Sequence, residues 1–178
     1  DIRFGMGGMK GFGANIVDAI VQERTEHGLF EDIYDFCVRM SGVVNRKSME
    51  ALVNSGAFDS FGISRSQYFL AGKNGLQYLD DLMSYGQVTR QNAEDDAASL
   101  FGDAEELKIE KPEPPALTIE PDILEVLQRE KDVVGMYLSD HPLKKYEFEL
   151  ENFTNCKMAE LGDLIADCDK NRQTAQVA

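Results

Sequence analysis

Two glycines one residue apart, in Met9-Lys10-Gly11-Phe12-Gly13-Ala14-Asn15-Ile16-Val17-Asp18-Ala19-Ile20, constrain this chain more than any other feature. Gly11 and Gly13 let the backbone enter φ > 0 and leave no Cβ to keep a ligand away from the peptide groups. Backbone therefore becomes a binding surface. Behind the turn, Ile16, Ala19 and Ile20, with the aliphatic stem of Glu23, recur at three- and four-residue steps, while Asn15, Asp18 and Gln22 fall opposite. That is the helical period. A helix beginning at about Ala14 aims its unpaired N–H groups and the positive end of its dipole at whatever lies against the turn, and a phosphate suits that geometry. Lys10 can add a point charge to the same anion.

Other glycine motifs fit less well. A Walker loop ends in Gly-Lys-Ser/Thr, whereas Lys10 is followed by Gly11 and Phe12, so no hydroxyl reaches a magnesium ion. A dinucleotide fingerprint needs a preceding strand and a third glycine, and Lys10 stands where that glycine belongs after Gly5, Gly7 and Gly8. A glycine-capped helix junction without a ligand remains the plain alternative. The pattern that Met9, Gly11, Phe12, Gly13, Ile20 and Arg24 fill without a gap resembles the turn and second helix of a helix-hairpin-helix element. That family binds DNA backbone without reading sequence. The resemblance implies phosphate contacts from amides around Gly11, Gly13 and Ala14, and in some members a monovalent cation held by the turn carbonyls.

Charge must be read by position here. The chain of 178 residues carries a net charge of -14, which disfavours a nucleic-acid binder taken as a whole. Residues 1–93 hold nine Lys/Arg against eleven Asp/Glu, and residues 94–178 hold nine against twenty-one. The first half is close to neutral. Cys37, Cys156 and Cys168 are far apart and show neither a disulfide framework nor zinc spacing. No run of about 18 apolar residues marks a membrane span, and Asp1-Ile2-Arg3 opens no signal peptide, so a cytoplasmic protein with no membrane partner is expected.

Beyond the first helix, Gly28 marks its end, and Ile33, Phe36, Cys37 and Met40 make the apolar stripe of a short helix. Asn45 or Ser48 can cap the next helix, with Met49, Leu52 and Val53. Ser55-Gly56-Ala57-Phe58-Asp59 is a second pinched turn, leading through Phe61-Gly62 to a helix with Tyr68, Phe69 and Leu70. The fold expected is mostly α, with tandem helix-hairpin-helix elements, one clear and one degenerate. Arg46 and Lys47 lie where they could meet the same phosphate backbone as the first turn, or end a solvated helix.

Longer strings widen the likeness. Ile2 to Gly13, Phe30 with Asp35-Phe36-Cys37, Asn45-Arg46, and Leu52 to Asp59 together resemble the alpha subunit of bacterial replicative DNA polymerase III, after its catalytic palm, where the fingers end and the helix-hairpin-helix region begins. Glu130-Lys131-Asp132-Val133-Val134-Gly135-Met136-Tyr137-Leu138-Ser139-Asp140-His141-Pro142-Leu143 resembles the segment before that family's OB-fold domain. His141 suits a turn rather than catalysis.

Between these regions, Leu76, Leu79, Leu82 and Met83 form an amphipathic helix. Gln91 to Asp96 and the proline-rich Glu110-Lys111-Pro112-Glu113-Pro114-Pro115 then read as extended or mobile. Set between them is Ala97-Ala98-Ser99-Leu100-Phe101. In the resembling family this position carries the peptide that hooks the sliding clamp, glutamine first and Leu-Phe last; Leu100 and Phe101 fit and Ala97 stands in place of glutamine. Ile123, Leu124, Val126, Leu127, Val133, Val134 and Met136 suggest a core-facing helix begun by Asp122, and Phe153 to Ile165 a further short helix. Gln173 to Ala178 reads as the opening of a strand, a truncated OB-fold by the resemblance.

The expected organisation is a DNA-binding helix-hairpin-helix region at 1–85, a linker with a clamp-binding-like peptide at 86–121, and a helical segment entering the truncated OB-fold at 122–178. The acidic pairs Asp80-Asp81 and Asp95-Asp96 lack the apolar strand that a two-metal polymerase site needs. The expectation is a non-catalytic stretch without cofactor, its magnesium belonging to the parent polymerase. Its partners by the resemblance are duplex DNA, the sliding clamp and other polymerase III holoenzyme subunits. The phosphate-binding residues expected are Lys10, Gly11, Phe12, Gly13, Ala14 and Asn15, with Arg46 and Lys47; those for the clamp are Ala97, Ala98, Ser99, Leu100 and Phe101. Two other classes stay open: a helix-hairpin-helix module of a repair or recombination enzyme, and an acidic protein-interaction scaffold.

Overall fold

Helices of this protein stop at Gly28 and Gly135 and start behind the short polar side chains of Asp32, Asn45 and Asp122. The computed structural model describes residues 4–98, 110–118, 121–154, 159 and 165. The first helix, α1 (Ala14–His27), begins directly behind Gly13 and ends at Gly28, whose φ of 85° favours glycine. Asp32 accepts from the Asp35 amide at 2.7 Å and opens α2 (Ile33–Arg39). Asn45, rather than Ser48, caps α3 (Arg46–Asn54), accepting from the Ser48 amide at 2.9 Å. The longest helix, α4, spans Tyr78–Ala98. Asp122 caps α5 (Ile123–Val134), and α6 covers Glu147–Phe153. Shorter 3-10 turns occupy Met6–Gly8, Asp59–Phe61, Gln67–Phe69 and Pro142–Tyr146.

The chain divides into two compact units after Ser139. The core of the first joins Ile20 of α1, Ile33 and Phe36 of α2, Met49, Leu52 and Val53 of α3, and Tyr78, Leu79 and Leu82 of α4. Its aromatic seam runs from Phe30 edge-on to Phe36, then Phe58, Tyr68 and Tyr78. α2 and α4 approach closely because Gly86 has no side chain: a Cβ there would collide with the Cys37 carbonyl. At the α1–α2 junction Arg39 gathers Glu23, Asp35 and the carbonyls of Glu23 and Gly28, and its guanidinium lies 4.4 Å from the Phe30 ring centre. In the second unit Asp140 pairs with Lys144 at 3.0 Å, His141 Nδ1 accepts from the Leu143 amide, and Phe148 meets Phe153 edge-on.

Several expectations need correction. α4 does not yield to a mobile linker at residue 86 but runs on to Ala98, because a polar stretch there needs only helical hydrogen bonds and pairs such as Arg90–Glu94 at 2.8 Å. Leu76 precedes that helix and is exposed. No full helix follows the second turn: between Gly62 and Gly72 there is room only for the 3-10 turn that buries Tyr68, which is too short a run to repay helix nucleation. The proline-rich stretch is not loose, since Tyr34 donates to the Pro112 carbonyl at 2.6 Å and Gln67 to that of Pro115 at 2.8 Å. α5 belongs to the first unit and shows the core Leu127, Glu130 and Val134, leaving Ile123 and Met136 exposed. The predicted C-terminal strand at 173–178 and most of the helix predicted after Phe153 lie outside the described residues.

Candidate functional site

The first glycine turn is pinned from beneath and open above. Met9 and Phe12 are buried, anchoring it in the core, and the Lys10 amide donates to the Val133 carbonyl of α5 at 2.8 Å. Gly11 takes φ of 78° and turns the chain outward. Gly13 has φ of -75° and ψ of 146°, and a Cβ built on it meets nothing within 4 Å, so its lack of a side chain serves whatever approaches from outside. The amides of Gly11, Gly13, Ala14 and Asn15 have no acceptor among the described residues. No acidic side chain stands in the first turn of α1. Unpaired N–H groups in and just before the first turn of a helix are an arrangement suited to an anion.

Lys47 completes it. Its side chain leaves α3 and lies across the turn, with Cε 3.1 Å and Nζ 3.8 Å from the point where a Gly11 Cβ would be. Arg46, one residue earlier, points elsewhere: it donates to Asp80 at 2.7 Å, Glu50 at 2.6 Å and Gln77 at 2.6 Å, and the hydrogen bond and charge of Asp80, then the charge of Glu50, raise its pKa. Of the two expected cations, Lys47 joins the turn and Arg46 is committed to tying α3 to α4. Lys10 contributes its side chain only, because its amide is already taken. Phe12 is the buried anchor of the turn, and Asn15 is exposed beside the unpaired amides.

The second turn carries the opposite arrangement. Gly56 has φ of 80°, and the amides of Ser55, Gly56, Ala57 and Asp59 all donate to the chain's own carbonyls. The Arg65 guanidinium fills the space where a Gly56 Cβ would stand. It makes a two-pronged pair with Asp59 at 2.9 and 2.5 Å, donates to Ser139 Oγ at 2.7 Å, and reaches Glu130 at 3.3 Å. Glu130 is fully buried and also accepts from the amides of Leu138 and Ser139 at 3.0 and 3.1 Å and from Ser139 Oγ at 2.5 Å. Burial alone would raise its pKa, but the Ser139 hydroxyl, the two amides and Arg65 together hold it below the ordinary glutamate value. This hairpin is plugged by an internal cation. Neither Arg65 nor Glu130 stood out in the sequence, although Glu130 sits at helical spacing between Leu127 and Val134, where an apolar residue is usual.

Of the clamp-peptide residues, Ala97 and Ala98 form the end of α4, and Ser99, Leu100 and Phe101 lie outside the described residues. The described residues hold no cluster of metal-ligating side chains and no helix long and apolar enough to cross a membrane.

An open glycine turn feeding a helix is the build of a helix-hairpin-helix element, and a family model described as helix-hairpin-helix motif matches residues 1–68. The chain is 35% identical over 162 residues to DNA polymerase III subunit alpha of Deinococcus radiodurans, 32% over 165 to that of Haemophilus influenzae, and 31% over 169 to that of Thermus aquaticus. These alignments cover 90%, 90% and 94% of this chain and 12%, 13% and 12% of the relatives. Over this stretch the chain belongs to the DNA polymerase III alpha-subunit family, and it spans about an eighth of the length of those relatives.

Proposed function

We infer that this chain holds duplex DNA by its backbone, without reading sequence, as a non-catalytic region of a replicative polymerase. The observation that carries the reading is Lys47 laid across Gly11 beside the unpaired amides of Gly11, Gly13, Ala14 and Asn15. Such a site takes one phosphate on the helix N-terminus and neutralises it with one ammonium, with Lys10 at hand for the next. The carbonyls of Lys10 and Gly11 have no donor among the described residues and are free for a monovalent cation at the same turn. One hairpin and two lysines predict weak binding, with log affinity falling against log salt with a slope of about -2. Fluorescence anisotropy of labelled duplexes of unrelated sequence tests this: equal affinities and a slope near that value support it, and no binding at low salt refutes it.

The second half of the reading is a clamp tether at Ala97, Ala98, Ser99, Leu100 and Phe101. The described flanks suit it: α4 runs to Ala98, and the carbonyls of Pro112 and Pro115 accept hydrogen bonds from Tyr34 and Gln67. Tethering raises processivity through effective concentration. The magnesium chemistry belongs to the remainder of such a polymerase, and other polymerase III holoenzyme subunits are further partners in this reading. A Leu100→Ala, Phe101→Ala chain should lose most of its clamp binding in a titration; unchanged binding removes the tether from the account.

A further inference from the structure

The segment 110–118 has no helix or strand hydrogen bonds of its own, yet its residues 111–115 are held by other parts of the first unit. The carbonyls of Pro112 and Pro115, three residues apart, are the two that accept hydrogen bonds, from Tyr34 Oη at 2.6 Å and Gln67 Nε2 at 2.8 Å. Pro112 and Pro115 are also the half-buried residues of the segment, with Glu113 and Pro114 exposed between them. A repeat of three, proline at both contact positions, and recognition through carbonyls are the marks of a polyproline-II ligand in an aromatic-lined groove.

The receiving side is prepared. Tyr34 hydrogen-bonds the buried Tyr78 hydroxyl at 3.2 Å and meets the Tyr85 ring edge-on at 5.7 Å. With the Tyr34 proton on the Pro112 carbonyl, Tyr78 is the donor in their shared bond. Gln67 Oε1 accepts from the Ser64 amide at 2.9 Å, which turns its NH2 toward Pro115. Lys111 lies 4.9 Å from the Tyr34 ring centre and 3.7 Å from Asp32, and Lys73 pairs with Glu113 at 2.7 Å. Charges therefore match on both sides of the first proline. The groove needs nothing from α5 or the first glycine turn, so it is separate from the proposed DNA site.

We propose that Tyr34, Gln67, Asp32 and Lys73 form a recognition groove for a Pro-x-x-Pro segment flanked by a lysine and a glutamate, occupied within the chain by residues 110–118 and open to a segment of the same kind in trans when that occupant leaves. The occupant is a latch: seated, it ties the chain beyond α4 to the helical unit, and released, it lengthens the tether.

The test uses a fluorescein-labelled peptide of the sequence Glu-Lys-Pro-Glu-Pro-Pro-Ala-Leu-Thr, titrated into the full chain and into a chain whose residues 110–118 are replaced by Gly/Ser. Saturable binding to the replaced chain, at least tenfold weaker to the natural chain, and weakened about fivefold by Tyr34→Phe or by Gln67→Ala, is the expected result. Binding equal in both chains, binding indifferent to those two substitutions, or no binding to a replaced chain with unchanged circular dichroism overturns the proposal. Should the replaced chain not fold, the natural chain carrying both Tyr34→Phe and Gln67→Ala decides: faster proteinase K cleavage within 110–118 is expected, and an unchanged rate overturns the proposal.

Discussion

Removing the carboxylate of Glu130 should destabilise the first unit more than any change at the DNA-facing surface. The side chain is fully buried and accepts from two amides, one hydroxyl and one guanidinium. Glu130→Ala leaves those donors facing a cavity. An orphaned buried donor costs about 1–3 kcal/mol, and breaking a buried ion pair by deleting one member costs about 3–5 kcal/mol. The lower part of that range applies, because Arg65 keeps its two-pronged pair with Asp59 and the exposed Ser139 turn can reach water. The expected loss is about 3 kcal/mol, a large share of the roughly 5–15 kcal/mol that folds a domain. Glu130→Gln keeps the shape and one acceptor oxygen but sets an NH2 group against donors, and should lose about 1–2 kcal/mol. Urea unfolding followed by far-UV circular dichroism suits a chain without tryptophan. The pH dependence has a definite sign. The folded pKa lies below the ordinary value of 4.5, so the contribution is fully present above that value and is lost as pH falls through the folded pKa. Glu130→Gln should flatten that acid limb. An alanine variant within about 0.5 kcal/mol of the parent, or a glutamine variant with the full acid limb, would refute the reasoning.

Other consequences are as direct. Lys47→Ala should weaken duplex binding and lower the salt slope by about one while leaving the urea midpoint in place, whereas Arg46→Ala should lower the urea midpoint slightly and spare the slope. Gly86→Ala puts a methyl group into the Cys37 carbonyl and should cost about 1–3 kcal/mol by forcing α2 and α4 apart, read from the same urea curves. The Cys37 thiol, pushed up to about 12 by burial and secondarily by Asp32, should resist iodoacetamide at mildly alkaline pH until urea unfolds the chain, as followed by peptide mass spectrometry. The Tyr68 hydroxyl is buried without a partner, so Tyr68→Phe should hold or raise stability, by up to about 1 kcal/mol, in a thermal melt.

What could be read in advance was local. Gly11 and Gly28 announce a turn and a helix end because their conformational demands are carried by single residues, whereas Gly13 takes an ordinary extended conformation instead of the expected φ > 0; the apolar stripe of Ile33, Phe36, Cys37 and Met40 fixes α2 by period alone. The extent of α4 was hidden because Gln91 to Asp95 are polar all round, a pattern shared by exposed helices and mobile linkers. The docking of Pro112 and Pro115 depends on Tyr34 and Gln67, distant in sequence, and no local rule connects them. The separate fates of Arg46 and Lys47 follow from adjacent positions on α3: one is aimed at Asp80, the other at Gly11. Glu130 left a trace, an acid in an apolar stripe, but its meaning required Arg65 and Ser139.

The central claim is that phosphate meets the bare backbone of the first turn. Gly13→Val is the sharpest probe, because φ of -75° and ψ of 146° suit valine and no neighbouring atom lies within 4 Å of its Cβ. The variant should fold, losing only the modest stability that a helix N-cap glycine contributes over valine, so a loss of binding in the folded chain reports on the approach of the ligand. In anisotropy titrations of one labelled duplex at low salt, the account predicts that Gly13→Val binds at least tenfold more weakly than the parent chain. Equal affinity in a folded Gly13→Val chain would place the DNA elsewhere and contradict it.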